Sequence, residues 1–174
     1  MSTTQIKVTQ TVNLAPLSLL LVDDNHHMCA ILAAVLKGVG VTKIREARDG
    51  AEALDLQRQY SIDIAIIDYN MAPIDGIEFA RMQRLAPDSA NPYLPLIMVS
   101  GHSERSRIVQ ARDAGINEFV VKPLNAKSLL ERLINVVMRP RPFIRCQGYF
   151  GPDRRRIRSG TYGGPFRRQD DGLI

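Results

Sequence analysis

The sequence predicts an α/β protein built on a five-stranded parallel sheet with helices on both faces. Two observations lead there. Short apolar runs of strand length alternate with stretches of helical repeat, five times in succession between Leu19 and Met138. Most of the runs are apolar at consecutive positions rather than at every second one, as strands buried on both faces are. A third observation bears on function: the runs stop at groups able to do chemistry, namely Asp23-Asp24, Asp68, Ser100 and Lys122.

The elements follow in order. Leu19–Val22 is a strand-length apolar run that stops at acids. His26–Gly38 carries Met28, Ile31, Leu32 and Val35 at the helical repeat, with Gly38 and Gly40 as stops. Lys43–Ala47 is a short strand, and Asp49-Gly50 leads into a helix from Ala51 to Gln59. Ile62–Ile67 is a buried strand ending at Asp68, and a helix from Gly76 to Arg84 follows the loop 69–75. Leu96–Val99 ends at Ser100-Gly101. Ser103 is expected to cap a helix that reaches Ala114 and stops at Gly115. Glu118–Val121 is the last strand, before Lys122-Pro123 and a helix from Ala126 to Met138.

Residues 1–16, polar and closed by Pro16, read as a flexible lead-in; 17–138 form the globular domain; 139–174 are a tail. The charge divides at the last boundary. Residues 1–138 hold 14 Lys and Arg against 15 Asp and Glu, whereas 139–174 hold 9 Arg and no Lys against 3 Asp. Cys29 and Cys146 form neither a metal-ligand spacing nor a disulfide framework, which points to reduced thiols and the cytoplasm. The run at 17–22 is too short to span a bilayer, so no membrane association is expected, and no basic-then-apolar leader opens the sequence.

Taken singly, the groups at the strand ends have ordinary explanations. Adjacent acids after a strand make solvated turns, an acid such as Asp68 caps a helix, Ser-Gly is a turn, and Lys-Pro starts a helix. Taken together they mean more, because ligands of parallel sheets bind outside the carboxyl ends of the strands. Three carboxylates, a hydroxyl and an ammonium group are brought to one edge. Close carboxylates raise one another's pKa unless a cation sits among them. Mg²⁺ suits two side-chain carboxylates, a carbonyl and waters, with a position left for a phosphate oxygen. Screened in this way, a carboxylate can attack phosphorus held in line and form an aspartyl phosphate. Lys122 would then neutralise one phosphoryl oxygen and the Ser100 hydroxyl would donate to another.

Leu19-Leu20-Leu21-Val22-Asp23-Asp24-Asn25, Ile67-Asp68-Tyr69-Asn70-Met71, Asp75-Gly76, Met98-Val99-Ser100-Gly101 and Val121-Lys122-Pro123 arrive in the order of a known family. From Leu17 to Met138 the chain resembles the receiver domain of bacterial response regulators, of which the chemotaxis receiver is the simplest member. The resemblance implies a flavodoxin-like doubly wound (βα)5 fold with strand order 2-1-3-4-5. It implies Asp68 as phosphoacceptor, and Mg²⁺ held by Asp23, Asp24 (the more direct ligand), Asp68 and the main-chain carbonyl of Asn70. Ser100 and Lys122 would contact the phosphoryl group, and Ser100 and Phe119 would form the switch, with a plain core aromatic as the alternative for Phe119. The implied partners are a histidine kinase or histidine phosphotransfer protein and an unknown target on the 103–138 face. The chain would catalyse only its own phosphorylation and dephosphorylation. Two departures stand out: Ala72 replaces the usual proline, with Pro73 one residue later, and Ser100 replaces the commoner threonine. His26-His27 reads as the exposed first turn of a helix rather than as a metal or phosphohistidine site.

The tail shows no helical or strand repeat of useful length and carries a degenerate duplication, Tyr149-Phe150-Gly151-Pro152-Asp153-Arg154-Arg155 and Tyr162-Gly163-Gly164-Pro165-Phe166-Arg167-Arg168. Three readings stay open: a disordered extension, docking onto an acidic partner or back onto the receiver, and nucleic-acid binding. No helix-turn-helix or other conventional output domain is present in it. A phosphatase with an aspartate nucleophile, resembling the haloacid dehalogenase family, would want a second acid two residues after Asp68, where Asn70 stands. An interaction module that keeps the fold alone would not need the whole reacting set. The stand-alone receiver is the leading expectation.

Overall fold

The computed structural model describes residues 12–155 and 172–173. The start of the lead-in and the second copy of the duplicated motif lie outside the described residues.

Five strands, β1 (Ser18–Val22), β2 (Lys43–Ala47), β3 (Ile64–Asp68), β4 (Leu96–Ser100) and β5 (Glu118–Val121), form one parallel sheet in the order β2-β1-β3-β4-β5. Between and after them run α1 (His26–Gly38), α2 (Gly50–Gln59), α3 (Gly76–Leu85), α4 (Arg105–Asp113) and α5 (Ala126–Met138). This is the flavodoxin-like doubly wound arrangement implied by the resemblance.

Alternation along each strand builds two cores. Leu20, Val22, Ala65, Ile67, Leu96 and Met98 face α2, α3 and α4, packing with Ala53, Ile77, Phe79 and Ala111. Their neighbours Leu19, Leu21, Ile64, Ile66, Ile97 and Val99 face α1 and α5, packing with Leu32, Leu36, Leu129 and Leu133. Burial on both sides is why the strands read as continuous apolar runs. Leu14 is buried in the second core, so the end of the expected lead-in is docked against the domain.

Four helices start on side-chain caps: Asn25, Asp49, Asp75 and Asn125 each accept main-chain N–H bonds from the first turn. The start of α4 differs from expectation. Glu104, not Ser103, is its N-cap residue, and no side chain caps it.

The tail also departs from the sequence reading. After α5, β6 (Phe143–Cys146) and β7 (Tyr149–Pro152) pair antiparallel, and β8 (Gly172–Leu173) lies against the other side of β6. Gln147-Gly148 makes the two-residue turn, with Gly148 at φ +74°, a conformation that glycine adopts without steric cost. What fixes the hairpin is a non-local surface. Phe150, only 2% exposed, meets Tyr93 edge-on at 5.1 Å between ring centroids and Phe143 at 5.5 Å. Tyr149 is buried, donates its hydroxyl proton to the Pro152 carbonyl at 2.7 Å, and carries Arg154 stacked over its ring.

Beneath the hairpin lies Arg84, 3% exposed, at the end of α3. Its guanidinium donates to the carbonyls of Gly115 and Pro92 and to the Asn117 side chain, at 2.7 to 3.1 Å. Burial pulls its pKa down to about 9. These bonds tie α3 to the α4–β5 connection, and Arg141 reaches the same place by donating to the Asn117 carbonyl at 3.0 Å. Several tail arginines are thus turned onto the chain itself: Arg141 onto main-chain carbonyls, Arg145 over Phe150, and Arg154 onto Asp113 at 3.3 Å. For the described part of the tail, docking back onto the globular domain is what the structure contains.

Phe150→Ala removes a fully enclosed aromatic from this interface and is expected to destabilise the fold by about 3 kcal/mol in urea unfolding. A loss below about 0.5 kcal/mol would mean the hairpin is not packed on the domain in solution.

Candidate functional site

Parallel registry brings the reacting groups together. Val22 pairs with Ile67, Asp68 with Val99, and Ser100 with Val121. The residues that close β3 and β4, and those that follow β1 and β5, therefore sit side by side at the carboxyl edge of the sheet. Asp23 follows β1, Asp68 ends β3, Ser100 ends β4 and Lys122 follows β5.

Asp68 is 6% exposed and Asp23 is 5% exposed. The Lys122 ammonium donates to Asp68 Oδ1 at 2.7 Å and lies 3.8 Å from Asp23 Oδ2. The remaining oxygens are held by main-chain amides: Asn70 N–H donates to Asp68 Oδ2 at 2.8 Å, and Asn25 N–H to Asp23 Oδ1 at 2.8 Å. Gly76 explains the Asp75-Gly76 pair, because a side chain there would collide with the Asp68 carbonyl. Ser100 is fully buried; its hydroxyl oxygen accepts from His102 N–H at 3.1 Å, and its carbonyl accepts from Lys122 N–H at 2.7 Å. The Lys122-Pro123 and Ala72-Pro73 peptide bonds are both cis.

Charge balance at the edge is uneven. Two buried carboxylates share one ammonium group, and the exposed Asp24 adds a third negative charge nearby. Burial pushes the Asp23 carboxyl above its usual range; the Asn25 amide opposes this, and the charges of Asp68 and Asp24 add to it. An excess of negative charge on hard oxygen donors fits a divalent cation. The residues that could hold one are Asp23, Asp24 and Asp68 with the Asn70 main-chain carbonyl. Among the described residues no three His, Cys, Asp or Glu side chains already close around one point. Any cation here would therefore use main-chain oxygen and water to complete its shell.

The remaining expected residues separate. Phe119 is half-buried on β5, paired with Met98 and packed against the core on the α4 side, which suits either a switch or a plain core residue. His26 and His27 are exposed in the first turn of α1. Cys29 and Cys146 are free, and burial pushes the Cys29 thiol up to about 11, which keeps it protonated and inert. No helix of the described residues is long and apolar enough to cross a membrane. Tyr69 escaped the sequence reading. Buried next to Asp68, it donates its hydroxyl proton to Gln110 Oε1 at 2.6 Å, and adjacency to Asp68 is the only signal in the sequence that singles it out.

Comparison with known proteins gives the family. The family model of the response regulator receiver domain matches residues 19–134. The chain is 34% identical over 123 residues to the chemotaxis protein CheY of Pseudomonas aeruginosa, covering 71% of this chain and 98% of that one. It is 31% identical over 123 residues to the chemotaxis protein CheY-3 of Vibrio cholerae, covering 71% and 93%. Among solved structures it is similar to Vibrio cholerae CheY4 (TM-score 0.63, 28% identity, 69% of this chain and 98% of that one). It also resembles the structure of the CheX-CheY-BeF3-Mg complex from Borrelia burgdorferi (TM-score 0.62, 26% identity, 70% and 89%). With the family model spanning most of the chain and a relative 34% identical over 98% of its own length, the protein belongs to the response regulator receiver family of two-component signalling.

Proposed function

We propose that the chain accepts a phosphoryl group on Asp68, in a Mg²⁺-dependent reaction, from a phosphohistidine on a histidine kinase or histidine phosphotransfer protein. The observation that carries this reading is the Lys122 ammonium at 2.7 Å from one buried carboxylate and 3.8 Å from a second. Such a pair of acids with a single amine has charge to spare for a cation and a nucleophilic oxygen held in place.

A carboxylate oxygen of Asp68 attacks the phosphorus, the bond from phosphorus to the histidine nitrogen breaks, and the imidazole leaves with that electron pair. Asp23, Asp24, Asp68 and the Asn70 carbonyl would hold Mg²⁺, which when bound would supply charge screening for the nucleophile and the phosphoryl group. Lys122 is already bonded to Asp68 and turns to a phosphoryl oxygen as negative charge moves there. The Ser100 hydroxyl donates to another oxygen, with Phe119 following into the space it leaves. Water later attacks the acyl phosphate and returns the carboxylate and inorganic phosphate. The chain in this reading turns over only its own phosphate, and it acts by presenting a changed 103–138 face to a protein partner. Free cysteines accord with a reducing, cytoplasmic setting.

Acetyl phosphate with Mg²⁺ is expected to label the wild type and to leave Asp68→Asn unlabelled, read by phosphate-affinity electrophoresis; equal labelling of the variant would remove Asp68 as acceptor. Lys122→Ala should slow labelling roughly 100-fold, by loss of a charged donor to the phosphoryl oxygen.

A second expectation comes from Asp23. The folded chain holds its proton more tightly than the unfolded chain does, so the ionised group opposes folding. That stability is lost as pH rises from the unfolded carboxyl range through the raised folded value. Asp23→Asn should therefore raise Tm at pH 7 without divalent ions; Mg²⁺ should raise the wild-type Tm, and the variant should lose that rise. A variant less stable than wild type in chelator would contradict the charge excess.

A further inference from the structure

Helix α4 is the most weakly anchored of the five. Of its nine residues only Ala111 is buried, and no side chain caps its first turn. Its far end is firmly held. Ala114, Ile116 and Asn117 are buried, Arg84 grips the Gly115 carbonyl, and Arg154 of the hairpin meets Asp113 at 3.3 Å. A helix fixed at its C-terminal end and loose at its N-terminal end is free to swing unless something holds its middle.

Tyr69 does so. Its hydroxyl donates to Gln110 Oε1 at 2.6 Å, and the Arg107 guanidinium lies 4.9 Å from the centre of its ring. The ring cannot drift independently of the acceptor. Tyr69 N–H is bonded to the Val99 carbonyl at 2.8 Å, and its carbonyl accepts from Gly76 N–H at 3.1 Å. On one side of Tyr69 is Asp68, and on the other is the Asn70 amide that donates to Asp68 Oδ2. Turning the carboxylate into an acyl phosphate converts one of its two charged oxygens into an ester oxygen. Either the Lys122 or the Asn70 contact must then change, and Tyr69 lies inside the two-residue loop that the Asn70 contact closes.

We infer that the Tyr69–Gln110 hydrogen bond is a latch through which the chemical state of Asp68 sets the freedom of α4, closed on the carboxylate and released on the acyl phosphate. The inference rests on Asp68 as acceptor and adds the route by which its state reaches a surface helix. Coupling of this kind needs an element with two arrangements that both ends bias. Here that element is α4, pivoting on the end held by Arg84 and the hairpin.

The test is amide hydrogen exchange of residues 105–113 in the full chain, with and without acetyl phosphate and Mg²⁺, for wild type, Tyr69→Phe, Gln110→Ala and the double variant. Without donor, each single variant should exchange about 5-fold faster than wild type across this segment, as loss of one ordinary hydrogen bond allows. The double variant should be no faster than either single one. With donor, wild type should rise to the level of the variants and the variants should stay where they are. Gln110 is exposed, so its variant carries the test even if Tyr69→Phe folds poorly. Wild type labelled on Asp68 with unchanged α4 exchange, or variants that respond to the donor as wild type does, would overturn the latch and leave the acceptor standing. Wild type that takes no label on Asp68 would overturn both.

Discussion

Asp23 and Asp68 are nearly sealed from solvent at the same edge of the sheet, and Lys122 is the ammonium group that reaches both. Burying like charges at short range is costly, and one amine does not cancel two carboxylates. The fold tolerates it because the parallel register leaves these residues nowhere else to point, and because main-chain amides of Asn25 and Asn70 take up the oxygens that Lys122 leaves. The same imbalance that opposes folding is what the proposed divalent cation would relieve. Stability and function are thus set against each other at one place, as strained and charged sites commonly are.

The opposite end of the sheet is built in a different way. There a single arginine, Arg84, is buried among carbonyls, with the Asn117 side-chain amide and the Phe143 ring as further partners, and the hairpin closes over that region with Phe150 and Tyr149. A buried guanidinium is tolerable when nearly every N–H has an acceptor, and its fork shape allows that here where an ammonium group could not. The result is a receiver whose base is covered by its own C-terminal extension, at the end of the sheet opposite the acid cluster. Helix α4 touches both ends, which is why its anchoring matters more than its modest burial suggests.

Much of this was legible in the sequence, for identifiable reasons. The strands could be read because burial on both faces forces continuous apolar runs, and the reacting groups because each follows such a run. Boundaries shifted only slightly: the run that starts at Ile62 pairs from Ile64, and Asp68 itself belongs to the strand. Ser103 has a residue type that favours caps, yet the N-cap is the next residue, Glu104, and the helix starts at Arg105. The hairpin left no periodic trace, since each strand has four residues and one of them contains Gly151 and Pro152. Its stability comes from surfaces distant in sequence, above all Arg84, and an arginine in the last turn of a helix ordinarily reads as a solvated cation. Distances such as that from Lys122 to each carboxylate belong to the packed state and have no counterpart in spacing along the chain.

The central claim is that one carboxylate in this cluster, and no other, carries the phosphoryl group. Borohydride reduction of the chain after exposure to acetyl phosphate and Mg²⁺ converts an acyl phosphate to a stable alcohol, which peptide mass spectrometry then locates. Reduction confined to residue 68 is the result expected if Asp68 is the acceptor. Reduction at Asp23 or Asp24, or spread over surface acids, would contradict it.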